Sequence, residues 1–238
     1  MPFLFVLLLI LLFFPYLLIP FLIFSVIGFL FLIPYVIIFN SFFNVITIPW
    51  QILKIAVDKR VRKNHSLEHA TVNVLEERYG RSLRIGGLAY SNGFSLSGPD
   101  LPSHYEVLDA AREGLYRMAN GETRLALHPR CGTSIAAANF LFSLVFIFML
   151  FFYKHLSLIN IAAVFLLANV LARPFGLTLQ KFFTTYPDIR DVDILDIYGK
   201  PQTFSFPFEI IINPNRTYFI KTTSGNSFFG FYNRVKLG

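Results

Sequence analysis

MPFLFVLLLILLFFPYLLIPFLIFSVIGFLFLIPYVIIFNSFFNVITIPWQIL, residues 1–53, contains no Asp, Glu, Lys or Arg; the first charge in the chain is Lys54. About 20 apolar residues suffice to cross a bilayer as a helix, and a soluble core helix needs nothing of this length. The stretch therefore sets the fold class, an α-helical multi-pass membrane protein. Residues 3–46 are expected to form two spans that reverse between Pro15 and Phe24, with Pro34 kinking the second. Ser41, Asn44, Pro49, Trp50 and Gln51 mix polarity, and Trp50 suits the headgroup level, so 41–57 reads as an interfacial segment. A basic n-region and a small-residue cleavage site are both missing, which favours retained spans over a signal peptide.

Beyond this run lies a basic collar, Asp58 to Lys63 (DKRVRK). Excess Lys and Arg mark cytoplasmic flanks, so the collar is expected inside the cell. Two further apolar runs, 135–153 and 156–172, are separated by Lys154 and His155 and followed by Arg173, Lys181 and Arg190. Four spans in the cell membrane, with both termini and the 58–133 domain cytoplasmic, is the simplest topology. An odd number of N-terminal spans is its rival. The chain divides into an N-terminal hairpin and interfacial segment (1–57), a small α+β domain (58–133), a second hairpin (134–173) and a segment with an amphipathic start and a short β-containing tail (174–238). The net charge of +7 in a chain that is 55% hydrophobic fits such flanks better than nucleic acid, for which no motif is present. Expected partners are membrane lipids and a membrane-protein or peptide substrate. Cys131 is the one cysteine; it excludes an intramolecular disulfide and fits a reducing compartment.

Within 58–133, a first helix is expected from Asn64 to Tyr79, capped by Gly80. Leu67, Thr71, Val74 and Leu75 make its packed side; His65, His69, Val72 and Glu76 line another. Leu88–Ser91 and Phe94–Ser97 flank Asn92-Gly93, a two-residue hairpin signal. Ser103 and Glu106 form a capping-box pattern for a helix to about Ala119, with Val107, Ala110, Ala111, Leu115 and Met118 at helical spacing and Gly121 as its end. In the last segment, Phe175–Thr185 reads as amphipathic. Glu209–Ile212 and Tyr218–Lys221 read as strands around an Asn-Pro-Asn-Arg turn, and the tail after Thr223 as loosely ordered. Neither an internal repeat nor a Gly-rich phosphate loop is present.

The chemistry sits in two motifs. In His65-Ser66-Leu67-Glu68-His69, residues three and four apart share a helix face, so two imidazoles and a carboxylate point the same way. H-x-x-E-H is a metallohydrolase signature. His128-Pro129-Arg130-Cys131-Gly132-Thr133-Ser134 adds two more ligand types. Catalytic zinc uses three protein ligands and a water, structural zinc four. His65, His69, His128 and Cys131 are the ligand candidates for zinc or another divalent metal, and Glu68 is placed as general base. Glu76, about 10 Å along the axis from His69, is expected to support the site or form a salt bridge. Thr133 is expected to cap the third span beside it. Bland readings stand alongside: a polar helix face next to a basic collar, a turn histidine before Pro129, surface positions for His104 and His155. Both motifs emerge at the same membrane face, which makes a composite site easy to build.

Taken together, H-x-x-E-H-x-T (His65 to Thr71), H-P-x-C-G-T-S (His128 to Ser134) and Gln180-Lys181-Phe182-Phe183-Thr184-Thr185 resemble the YqhQ-like proteins, a family of predicted metal-dependent multi-pass membrane proteins. The resemblance covers roughly 60–198. It implies the same order of spans, metal-motif domain, hairpin and Q-K-x-x-T-T segment, with Glu76 matching a family glutamate. Ala70 stands where the better-known branch has Lys, which implies a sister branch, and the tail after about Gly199 has no counterpart. The expected function is a membrane-embedded zinc-dependent hydrolase, most plausibly a peptidase at the cytoplasmic surface. A scaffold or accessory protein with structural zinc is the alternative, and a thiol enzyme or redox sensor built on Cys131 the third reading.

Overall fold

The computed structural model describes Phe5 and residues 14–153, 157–199 and 216–224. The described residues are mostly helical with one small antiparallel sheet among them. After a 3-10 turn at Pro15–Leu17, helix α1 runs from Leu18 to Val57 through Pro34 and Pro49. At 1.5 Å per residue it is about 60 Å long, twice the hydrocarbon thickness of about 30 Å. Two expectations change here. From Leu18 onward there is no reversal, and 41–57 continues the helix instead of forming a separate interfacial segment. Isolated prolines remove single hydrogen bonds without supplying the charged or glycine-rich turn a reversal needs. Residues 6–13, where a first span was expected, lie outside the described residues.

Asp58 separates α1 from α2 (Lys59–Tyr79). Its carboxylate accepts from the amides of Arg60 at 2.9 Å and Val61 at 3.1 Å, satisfying orphan donors at the positive end of the helix dipole. The helix thus starts at Lys59 rather than Asn64, and the basic collar is its first turn. Gly80 ends it at φ 62°, the left-handed cap conformation that glycine favours.

Strands β1 (Gly86–Tyr90) and β2 (Gly93–Gly98) make the expected hairpin. Tyr90 pairs with Gly93, so the loop residues are Ser91 and Asn92, one position earlier than expected. Gly93 is needed inside the strand because a Cβ there would overlap the carbonyl of Ile220. Helix α3 (His104–Ala119) opens with the expected Ser103–Glu106 capping box. Its Val107, Ala110, Ala111, Leu115 and Met118 are buried against α2, whose Leu67, Thr71, Val74 and Leu75 are fully buried in return. The two helices approach closely where Gly114 faces Ala70: a Cβ on the glycine would sit 3.0 Å from that of Ala70. A lysine at position 70 has no room in this crossing.

Helices α4 (Gly132–Tyr153) and α5 (Leu158–Leu179) are the expected apolar pair; residues 154–156 between them lie outside the described residues. Helix α5 passes the expected end at 172, continues through Pro174 and finishes in a π turn, Gln180–Thr184. The stretch expected as a separate amphipathic segment is therefore the end of this helix. Helices α1, α4 and α5 are each long and apolar enough to cross a membrane.

Strand β3 (Val192–Gly199) was not anticipated, because a bulge between Ile194 and Asp196 breaks its alternation. Strand β4 (Arg216–Ser224) contains the expected Tyr218–Lys221 run; Glu209–Ile212 and the tail beyond Ser224 lie outside the described residues. The sheet order is β1-β2-β4-β3, antiparallel throughout, so both polar segments contribute strands to it. Asn64 locks α2 onto this sheet, donating to the Tyr90 carbonyl at 2.7 Å and accepting from Thr222 Oγ1 at 2.7 Å.

Candidate metal site

Four elements close around one face of α2. The first turn of that helix is tied to the end of α5: Arg62 donates to the carbonyls of Phe182 and Thr185, and the amide of Tyr186 donates to Ser66 Oγ. On the other side Asn73 holds the carbonyls of Leu125 and Leu127, which fixes the loop leading to His128.

Inside this frame the His65 Nδ1–H donates to the Thr184 carbonyl at 2.9 Å, and the His69 Nδ1–H to the Ala126 carbonyl at 2.7 Å. Carbonyls only accept, so both rings carry a proton on Nδ1 and present a lone pair on Nε2. Metal-ligating histidines are oriented in this way by backbone carbonyls. The two ring centroids are 4.3 Å apart, and Cys131 Sγ lies 3.2 Å from His65 Nε2. Among the described residues, His65, His69 and Cys131 bring their ligand atoms within 4.8 Å of one another. The two motifs meet.

His128 is buried in the same neighbourhood, its ring centroid 6.0 Å from that of His69, but it is not in that group of three. Its Nε2 faces Glu76 Oε2 at 3.4 Å. Glu76 also pairs with Arg130 and accepts from the amide of Leu83 at 2.9 Å. Of the two ligand candidates in the second motif, Cys131 thus lies in the inner group, and Glu76 holds His128 to one side. The two turns separating Glu76 from His69 along α2 carry it past the inner group to His128. Thr133 is the second residue of α4 rather than its cap. Its amide donates to Cys131 Sγ at 3.4 Å, and its Oγ1 lies 3.6 Å from the same sulfur.

Burial dominates the electrostatics. It holds His69 neutral, well below the usual imidazole range, and a positive charge placed on the His65 ring would act in the same direction. It pushes the carboxyl of Glu68 up to about 8, against the pull of His65. It lowers His128 while Glu76 opposes that shift, and it raises the Cys131 thiol against the hydrogen bonds from Thr133. With a raised pKa, the Cys131 S–H donates toward His65 Nε2.

Buried polar atoms without partners are uncommon and call for an explanation. Among the described residues three are present: His69 Nε2, Glu68 Oε2 and Thr184 Oγ1. All three belong to this cluster. A ligand-ready imidazole nitrogen, a second such nitrogen and a sulfur beside it are a donor set that suits zinc, so the residues present fit a metal ion.

Four contributors had no role assigned from the sequence, although Gln180 and Thr184 stand in the Q-K-x-x-T-T segment. Gly87 of β1 lies against Glu68, and a Cβ there would overlap the carboxylate; the Gly86-Gly87 pair within a strand is the signal for such close approach. Gln180 is fully buried and clasps the His128 backbone, accepting from its N–H at 2.9 Å and donating to its C=O at 3.0 Å, while also donating to Ser134 Oγ at 3.2 Å. The Thr184 and Ala126 carbonyls act through the backbone and leave no side-chain signal.

A family profile described as a domain of unknown function, DUF6391, matches residues 60–197, a range that holds every residue of this cluster. An uncharacterized protein of Picosynechococcus sp. (strain PCC 7002) is 39% identical over 85 residues, covering 32% of this chain and 40% of that relative. The match thus spans less than half of the relative's length. No solved structure matches the chain. The likeness to YqhQ-like proteins rests on the motifs alone.

Proposed function

The chain belongs to the DUF6391 family, and we propose that it is a membrane-embedded, metal-dependent hydrolase, a peptidase working at the cytoplasmic membrane surface. The observation that carries this reading is the pair of His65 and His69 Nε2 lone pairs, fixed by backbone carbonyls and joined by Cys131 Sγ, with the Glu68 carboxyl on the same helix turn. His65, His69 and Cys131 would hold zinc, or another divalent ion of similar ligand taste. Zinc when bound supplies Lewis acidity and brings a water's pKa toward 7. The charge of a bound ion would draw the Glu68 proton off, and the carboxylate, with Gly87 close against it, would then receive and return the proton of the attacking water. Arg130 and Glu76 keep His128 beside the site. The cell-membrane setting rests on three apolar helices, and the cytoplasmic orientation on the Lys and Arg residues flanking them. On this reading Leu18 lies on the face opposite the site. The kinship with YqhQ-like proteins is part of the same proposal.

A structural zinc in a scaffold protein is the second reading, favoured by the burial of both His65 and His69. Engagement of His128 by Glu76 speaks for the catalytic one, since it leaves three protein ligands instead of four. Replacing Glu68 by Gln separates them. On the catalytic reading the variant keeps its metal and loses hydrolysis of a quenched-fluorescent peptide library by about 100-fold or more. Unchanged hydrolysis, or no hydrolysis by wild type with stoichiometric metal, favours the structural reading.

A further inference from the structure

Away from the metal cluster, a cavity of about 450 Å³ opens between α1, α4 and α5, lined by Asn40, Ser41, Asn44, Asn139, Ser143 and Asn169 among apolar neighbours. Its depth follows from helix rise. From Gly132 to Asn139 along α4 is about 10 Å, and to Ser143 about 16 Å. From Lys54 back to Asn44 along α1 is about 15 Å. Against a hydrocarbon core of about 30 Å, these groups sit near the middle. Asn169 lies nearer the flank, about 6 Å along α5 from Arg173. Polar side chains such as Asn44, Asn139 and Ser143 near the middle are unusual, and polar groups inside spans mark functional sites by default.

Part of the set is structural. Asn44 Nδ2 donates to Ser143 Oγ at 3.2 Å, Asn169 Nδ2 donates to the Phe165 carbonyl at 2.7 Å, and Ser41 and Ser143 are buried. Asn40, Asn139 and Asn169 are nonetheless exposed around the opening. In hydrocarbon, where water is missing, exposed amides are costly unless a polar group covers them.

The lining has no formal charge and offers both N–H donors and C=O acceptors, so its complement is a neutral group that does the same. Lipid headgroups of that kind sit at the membrane surface rather than at this depth. A peptide main chain freed from its own helix has this chemistry anywhere in the bilayer. The cavity also lies along α4 from the candidate metal cluster. Ser134, bonded to Gln180, lies one turn from Ala138 and two from Phe142 on the same side of α4, and both of these line the cavity. We propose that the asparagine-lined cavity binds a locally unwound stretch of another membrane-spanning peptide, satisfying its free backbone N–H and C=O groups as it approaches the metal cluster. The approach to the cluster rests on the hydrolase reading; the binding does not.

The test uses the full chain in lipid nanodiscs and two fluorescent leucine-rich transmembrane peptides, one with a central Gly-Pro pair that frees backbone groups and one without. The proposal predicts that wild type binds the Gly-Pro peptide about tenfold more tightly, a difference of about 1.4 kcal/mol, and that Asn139→Leu/Asn169→Leu removes the preference. Both asparagines are exposed, so the variant is expected to fold; α-helical content by circular dichroism checks it. Glu68→Gln keeps the preference. A wild type that binds the broken span without cutting it supports this inference while sinking the peptidase reading. Equal binding of the two peptides, or a preference that survives in the double variant, overturns the inference. So does a lipid that copurifies with wild type and not with the variant, or a dimer that the variant dissolves.

Discussion

Gly87 governs how closely β1 approaches Glu68. The atom a Cβ would strike is the end of a flexible carboxylate side chain, so the strand keeps its place and Glu68 moves. Gly87→Ala is therefore expected to leave stability within about 1 kcal/mol of wild type and metal content unchanged, while hydrolysis falls by about 100-fold; thermal melts, metal analysis and a peptide assay check it. The ligand assignment makes a second prediction. His69→Ala should lose stoichiometric zinc, whereas His128→Ala should retain it, because His128 faces Glu76 and lies outside the inner group. Retention by both variants, read by mass spectrometry of purified protein, would refute the assignment. At this scale the sequence shows His65, Glu68 and His69 clearly, since helical spacing alone puts them on one face. The choice between Cys131 and His128 is not legible in it, being set by Glu76, whose partner lies across the fold. The carbonyls that orient the imidazoles carry no residue signature.

Elements bring these residues together through polar clamps more than through apolar packing. Gln180, in the π turn that ends α5, binds both backbone groups of His128 and the hydroxyl of Ser134. Gln180→Leu removes every partner it offers, and each buried backbone group left unpaired costs about 1–3 kcal/mol. The variant is expected to melt well below wild type; an unchanged melting temperature would show that the clamp contributes little. Local rules made the end of α2, the existence of the hairpin and the start of α3 legible: a glycine cap, an Asn-Gly pair one position from the turn and a capping box all lie within a few residues of what they control. The π turn was not legible, since Phe175–Thr185 has the same apolar character whether α5 ends before it or runs through it. Strand β3 was hidden by its bulge.

The whole molecule joins segments far apart in the chain. Strand β4 lies between β2 and β3 with Ile220 fully buried, so truncation before Arg216 removes a central strand. It is expected to expose the 58–133 region to limited proteolysis, and a protected truncated form would contradict that role. Reporter fusions at residues 130 and 200 should both report the cytoplasm, and one at Phe14 the opposite face if α1 crosses once; a signal from outside at 130 or 200 overturns the orientation. The presence of helices long and apolar enough to cross a membrane was legible from charge-free length alone. The single long α1 was not, because an uncharged run with prolines reads equally as one helix or two. The candidate metal cluster is itself a property of the whole fold, since α2, the loop before α4 and the end of α5 must all be in place. X-ray absorption at the zinc edge of the zinc-loaded, detergent-purified protein tests it most directly. We predict one sulfur at about 2.3 Å and nitrogen neighbours at about 2.0–2.1 Å, with the sulfur lost in Cys131→Ser and the whole shell intact in Glu68→Gln. A zinc shell without sulfur, or no stoichiometric zinc in wild type, would contradict the account.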